Sequence, residues 1–300
     1  KRQKESTYQL AFDGWRKMVY RDGPYGHDPL GSINDINKIN KEHILPIASS
    51  LIHRKKNLVI SGKFPVNVEN YIKNSIAFKE ISKNFTNQNK ISKINSFTRN
   101  QILDNKKTSL CSHSLNTNQV ILLLGKATIR YDNESDILLR LLSCYLGYGM
   151  SSLLFKVLRE KHGVVYEAGV YHPIRENQTP FIMHASTTED KAILTLQLLK
   201  ECWEKILNSE ISPEELDLVK IKYRGQVAHS LQSVSQRAEH KAHLLGIGLT
   251  KDHEREVLRS IDGISSKEIK DAANKYLQEP MLSVCSNKEV IRKISKDWQA

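Results

Sequence analysis

Long apolar runs, paired cysteines and acidic side chains are all scarce in this 300-residue chain. The longest uninterrupted apolar runs, such as Val120–Leu124, fall far short of the ~20 residues that a bilayer-spanning helix needs. No apolar core follows Lys1-Arg2-Gln3-Lys4-Glu5, so nothing there reads as a signal peptide. The chain also opens without Met, and residue 1 is therefore not expected to be the start of the natural product. Cys111, Cys144, Cys202 and Cys285 are widely spaced and form no C-x-x-C, which argues against a zinc finger or a disulfide framework. Four unpaired, mostly buried thiols are expected instead, favouring a reducing compartment such as the cytoplasm.

Apolar residues make up 39% and charged residues 26%, which suits an ordinary globular protein and excludes a collagen, a pure coiled coil or a disordered tail. At roughly 100–200 residues per domain, a chain of 300 holds two domains or one large one. Net charge is +12, and the excess is local: Arg54 to Lys107 holds twelve Lys/Arg against three Asp/Glu. A nucleic-acid site should interleave aromatics with such charge and sit in a recognisable module. Here Lys alternates with Asn, Ser and Ile. The stretch reads as a solvated basic linker, and no nucleic-acid or membrane partner is expected.

Periodicity places helices and strands alternately along the chain. Tyr8–Tyr20 carries a helical stripe of Leu10, Phe12, Trp15 and Val19. Asn40 is an N-cap for a helix to about His53, with Pro46 inside it as a kink or a late start. Asn57–Ser61 reads as a short strand and Val66–Phe78 as a helix. Ser82–Thr108 has no clear period and reads as linker. In the second half, Asn118–Tyr131 is strand, Ile137–Leu146 is helix, and Gly147-Tyr148-Gly149 breaks it. Ser151 or Ser152 caps a helix to about Lys161, which Gly163 stops. Val164–His172 and Phe181–Thr187 pair as a hairpin. A helix capped by Thr188 follows. Ser212-Pro213-Glu214-Glu215 opens the next, and Ser265 with Glu268 caps the last long one before the strand Met281–Ser286. Strands and long helices segregate into layers, the pattern of an α+β protein.

The chain also repeats itself. Ile36–Ile44 (Ile-Asn-Lys-Ile-Asn-Lys-Glu-His-Ile) matches Ile261–Ile269 (Ile-Asp-Gly-Ile-Ser-Ser-Lys-Glu-Ile) at a constant offset of 225. Continuing it puts Ala48 on Ala273 and, after one gap, Leu58–Gly62 on Leu282–Ser286. Both copies read as cap, helix, strand. The second unit starts near Leu115, so its cap at Ser265 lies 150 residues in. By that count the first unit would begin roughly 110 residues before Lys1, and its remnant alone could not close a core.

The run Leu146-Gly-Tyr-Gly-Met-Ser-Ser-Leu-Leu-Phe-Lys-Val-Leu-Arg-Glu-Lys-His-Gly-Val-Val-Tyr166 resembles the insulinase/pitrilysin family of zinc metallopeptidases, which includes the mitochondrial processing peptidases. The family pattern there is Gly-Gly-Gly-Met-Ser-Ser-x-Leu-Phe-x-x-Leu-Arg-Glu-Lys-x-Gly-Leu-Ala-Tyr. Tyr148 stands where Gly is preferred, Leu154 where Arg is common and Glu167 where Ser is common. The resemblance covers essentially the whole chain. It implies duplicated α+β domains, each a mixed or antiparallel sheet covered by helices. Residues 1–80 would be the end of a truncated first domain, 81–114 a basic linker and 115–300 a complete second domain.

Family catalysis uses His-x-x-Glu-His and a distant Glu in the first domain, with zinc as cofactor. This sequence has no such motif. Gln236-Arg-Ala-Glu-His240 comes nearest, but Gln cannot replace an imidazole ligand, so Glu239, His240 and His243 read as helix-surface residues. The resemblance therefore implies zinc in the complete family member or in a partner, and none bound by this chain. Arg159 and Tyr166 match an Arg–Tyr pair that reaches the zinc site from the second domain, and both side chains can donate to a substrate carbonyl or its oxyanion. Gly147, Gly149, Met150 and Ser151 form the implied substrate-side loop, the glycines allowing a tight turn and close backbone approach. The implied function is peptide-bond hydrolysis of unfolded peptides, this chain supplying the C-terminal half in a homo- or heterodimer. The alternative is a non-catalytic subunit, or a structural homologue like the core subunits of a respiratory complex.

Overall fold

The computed structural model describes residues 6–21, 23–53, 56–76, 78–79, 109–131 and 133–299. In chain order the helices and strands are α1 Thr7–Tyr20, α2 Ile33–Ile36, α3 Lys41–His53, α4 Val68–Asn74, β1 Leu110–Ser114, β2 Gln119–Ala127 and α5 Asp136–Gly147. A π-helix, Phe155–Lys161, follows. Then come β3 Glu167–Tyr171, β4 Pro180–Thr188, α6 Ala192–Asn208, α7 Pro213–Ser230, α8 Val234–Gly246, α9 His253–Ser260, α10 Ser266–Tyr276, β5 Met281–Ser286 and α11 Lys288–Gln299. The expected α+β pattern is what forms.

The strands make one mixed sheet in the order β1-β5-β2-β4-β3, with β1 and β5 parallel and the other neighbours antiparallel. Both faces are covered, which is why Val120–Leu124 is apolar at every position rather than at alternate ones. Ile121, Leu123, Ala127, Ile182 and Cys285 face α1, meeting Ala11, Trp15, Val19 and Tyr20. Phe181 points the other way, edge-on to Trp203 of α6. Polar ties fix α1 in place: the Trp15 Nε1–H donates to the Met281 carbonyl (3.3 Å) and the Ser283 hydroxyl to the Ala11 carbonyl (2.7 Å). The four thiols are unpaired, and burial pushes Cys144, Cys202 and Cys285 up to about 11.

Two compact units result. One takes in the described residues within Lys1–His27, Asn100–Val227 and Glu254–Ala300, and so contains the whole sheet. The other takes in those within Asp28–Arg99 and Ala228–His253. These divisions differ from the sequence boundaries at 80/81 and 114/115. Helix α1 lies on the sheet formed by residues 110–286, because its apolar stripe covers the β2–β5 face. Strand β1 falls inside the span read as linker, and the rest of that span, 81–108, lies outside the described residues.

Other readings shift by a few residues. Asn40 does cap α3, accepting from the His43 amide (3.1 Å), and Pro46 sits inside the helix. Asn57–Ser61 forms no strand and pairs with none among the described residues, so the first copy of the repeat gives cap and helix without a ladder. The helix read over Val66–Phe78 starts at Val68, is interrupted at Ser75 after α4, and is helical again at Ile76, Phe78 and Lys79. The capping boxes at Ser212 and Ser265 form as expected, with reciprocal bonds to Glu215 and Glu268.

Candidate functional site

The site grows out of the connection between α5 and β3. Helix α5 ends against β3: a Cβ on Gly147 would lie 2.6 Å from the Val170 amide nitrogen, so only glycine lets the helix come this close. Gly149 is needed for a different reason. Its φ of +77° is left-handed, and the space beside it is open. The Tyr148 carbonyl between them accepts from Lys222 Nζ of α7 at 3.4 Å. Met150 and Ser151 follow, both exposed, and Met150 is 77% exposed. Ser152, Leu153 and Leu154 then turn inward and are buried.

The helix begins just after Ser152, as expected: Leu153 and Leu154 are helical, the Lys156 amide donates to the Ser152 carbonyl at 3.0 Å, and the helix widens into the π-helix at Phe155. It closes on Gly163 (φ +59°), with the Val164 amide reaching back to the Leu158 carbonyl at 2.8 Å. That bond spans one residue more than the usual helix-ending loop, matching the wider π turn. Lys191 Nζ holds the Gly163 carbonyl at 3.0 Å, the Thr187 hydroxyl donates to the Val164 carbonyl, and the Tyr166 amide donates to the Ser186 carbonyl at 2.9 Å. The strand read over Val164–His172 starts at Glu167, so Tyr166 stands just before it.

Two donors project from this tethered backbone. Tyr166 is 69% exposed. Arg159 is exposed on the π-helix, its guanidinium 5.4 Å from the centre of the Phe155 ring. Among the described residues, neither the Tyr166 hydroxyl nor the Arg159 guanidinium has a hydrogen-bond or ion-pair partner. Gly147–Ser151 lies at the opposite end of the π-helix from Arg159, so the sequence-derived residues all share one connection. Lys191, Lys222 and Thr187, which hold that connection, carry no sequence signal. Each acts on a carbonyl from a distant element.

A catalytic zinc takes three protein ligands and leaves a fourth position open. Among the described residues, no group of three or more His, Cys, Asp or Glu could hold a metal ion, so these residues do not fit a zinc site. On α8, Gln236 serves as a cap: its side chain accepts from the Ser233 amide at 3.0 Å and its own amide donates back to the Ser233 hydroxyl. Glu239 and His243 lie exposed on the same helix. Among the described residues, no helix is long and apolar enough to cross a membrane.

A family model described as the peptidase M16 inactive domain matches residues 57–223, more than half of the chain. The chain belongs to the peptidase M16 family. This is the insulinase-like membership that Leu146–Tyr166 suggested. An uncharacterized zinc protease of Rickettsia felis is 26% identical over 267 residues, covering 89% of this M16 chain and 62% of the relative. The chain thus spans about three-fifths of that relative's length. The crystal structure of a peptidase M16 inactive domain from Pseudomonas fluorescens shares the fold, with a TM-score of 0.75 at 18% identity over 96% of this chain and 67% of that one. A chain of Complex III2 from Candida albicans does so at 0.70 and 12%, over 99% and 70%.

Proposed function

We propose that this M16 chain supplies the substrate- and transition-state-binding half of a zinc metalloendopeptidase acting on unfolded peptides. The metal would be held by a first peptidase domain or by a partner subunit. The observation that carries this reading is the pair of exposed donors, Arg159 and Tyr166, on a backbone fixed by bonds from Lys191, Thr187 and Ser186. A peptide carbonyl gains negative charge as it becomes tetrahedral. A phenol and a guanidinium already in place donate more strongly to that oxyanion than to the ground-state carbonyl. Gly147–Ser151 would flank the bound peptide, with Met150 offering apolar contact.

The repeat supports a sister domain. In the second copy, α10 buries Ile269, Ala272 and Ala273. Their counterparts at the 225 offset, Ile44 and Ile47 of α3, are 53% and 61% exposed. Residues 28–80 would then be the end of the first domain, with an apolar helix face that its own sheet would cover.

Tyr148 favours a second reading. A large side chain where the family prefers Gly narrows the loop, as a non-catalytic or structural subunit would tolerate. The test joins the chain to a zinc-bearing M16 domain, in one polypeptide or as a two-subunit complex, and follows hydrolysis of an unfolded peptide. The joined protein should cleave and the 300-residue chain alone should not. Cleavage by the chain alone would overturn the proposal. No gain over the zinc-bearing domain alone would favour the second reading.

A further inference from the structure

Glu167 follows the Tyr166 donor directly and departs from the insulinase-like pattern, where Ser is common. Side chains alternate along a strand, so Glu167, Gly169 and Tyr171 share one face of β3. It is the face that α1 covers, because Tyr171 meets Phe12 of α1 edge-on, ring centres 5.4 Å apart. Glu167 itself is exposed and, among the described residues, has no hydrogen-bond or ion-pair partner.

Its surroundings are aromatic. Gly169 pairs with His184 of β4, and a Cβ on Gly169 would lie 2.8 Å from His184 Nε2. The missing side chain therefore lets the imidazole lie over β3, with Glu167 and Tyr171 two residues to either side along the strand. Tyr8 of α1 meets His184 edge-on at 5.7 Å and lies nearly parallel to Phe12 at 6.4 Å. His184, Tyr8, Phe12 and Tyr171 thus form an arc of rings around Gly169, with the Glu167 carboxylate at its edge. Tyr8 is 36% exposed. Burial, and then charge from Tyr171 and Glu167, raises the Tyr8 phenol above its ordinary value. Burial pushes His184 below its own, against the pull of Glu167, so a neutral imidazole leaves the carboxylate's charge uncompensated at neutral pH.

The far end of the arc already holds a cation of the chain. Arg175 donates to the Tyr171 hydroxyl at 3.1 Å, and its guanidinium lies 5.7 Å from the centre of the Tyr25 ring. Among the described residues, no ion pair joins Arg175 to Glu167.

We propose that Glu167, with the Tyr8 and Tyr171 rings, binds a cationic side chain, a lysine or an arginine, of an extended peptide. The carboxylate supplies the opposite charge, and the rings supply their negative faces to the ammonium or guanidinium. A serine at 167 would offer neither charge nor reach. The inference rests on reading this connection as a peptide-binding surface. Because consecutive Cα atoms are about 3.8 Å apart, the cation would lie within about two residues of the carbonyl that Tyr166 meets.

The test is an NMR titration of the whole chain, in low salt, followed at the Gly169 amide and the Tyr8 ring. The probes are two short Gly-Ser peptides, acetylated and amidated, identical except for a central lysine or methionine. The lysine peptide should bind about tenfold more tightly. Glu167→Ser and Glu167→Gln should bring the two peptides to the same affinity. Tyr8→Leu keeps an apolar side chain against His184 but removes the ring, and should weaken the lysine peptide alone by about threefold. Equal binding of the two peptides, no binding of the lysine peptide, or a lysine preference unchanged in Glu167→Ser or Tyr8→Leu would each overturn the site. The titration needs no turnover, so an assembly that fails to hydrolyse peptides would count against the proposed function alone.

Discussion

Two glycines in one loop do different work, and substitution separates them. Gly147→Ala drives a methyl group to 2.6 Å from the Val170 nitrogen, so α5 must move off β3; overpacking of this kind costs about 1–3 kcal/mol. Gly149→Ala meets no atom and carries only the left-handed strain, about 1–2 kcal/mol. Urea unfolding of both variants should show the larger loss at Gly147. His172 adds a pH dependence. Its folded-state pKa is lowered by burial, so the unfolded chain binds the proton more readily. Stability is therefore full above the unfolded value of about 6.5 and declines as pH falls below it. His172→Asn should flatten that acid slope in urea midpoints taken between pH 7.5 and pH 5. At this scale the sequence was legible where a residue's demand is local. Gly147, Gly149 and Gly163 announced turns and close approach. Asp136, Arg140 and His172 gave no hint, because their contacts join residues 32 to 36 positions apart.

Helices with complete end signals were legible as elements. Ser212 and Ser265 each exchange bonds with a glutamate three residues on, and Ser→Ala at either should cost about 1 kcal/mol in thermal or urea unfolding. Strand β5 was legible to the residue, being short, apolar and bounded by polar turns. Strand β1 was not. Leu110–Ser114 is a polar edge strand beside Lys-rich chain, and its pairing to Leu282–Ser286 is visible only in three dimensions. The stretch 57–61 shows the converse: strand-like composition gives no ladder without a partner. Helix α1 was recognised as a helix but assigned to the wrong sheet, since a stripe of Leu10, Phe12, Trp15 and Val19 does not say which face it covers. Trp15→Ala should cost about 3–5 kcal/mol, as removal of a fully buried large aromatic does, and should loosen the β2–β5 face in hydrogen exchange.

At the scale of the molecule, a five-stranded mixed sheet with helices on both faces carries one tethered connection from which two unpaired donors project. The resemblance in Leu146–Tyr166 identified the family correctly because that run is long and gapless. Among the described residues, no group of three or more His, Cys, Asp or Glu could hold a metal ion. The grouping of the described residues within 28–99 and 228–253 into one compact unit, and of the sheet into another, was not legible, because sequence order and compact units do not coincide. On the proposed reading, the chain's contribution to peptide hydrolysis resides in Tyr166 and Arg159.

The direct measurement is steady-state kinetics of Tyr166→Phe in the complete zinc-bearing assembly. The substitution removes one hydroxyl from an exposed side chain and leaves its ring. Loss of a transition-state donor predicts a fall in kcat of about a hundredfold with KM little changed. An unaltered kcat would contradict the account.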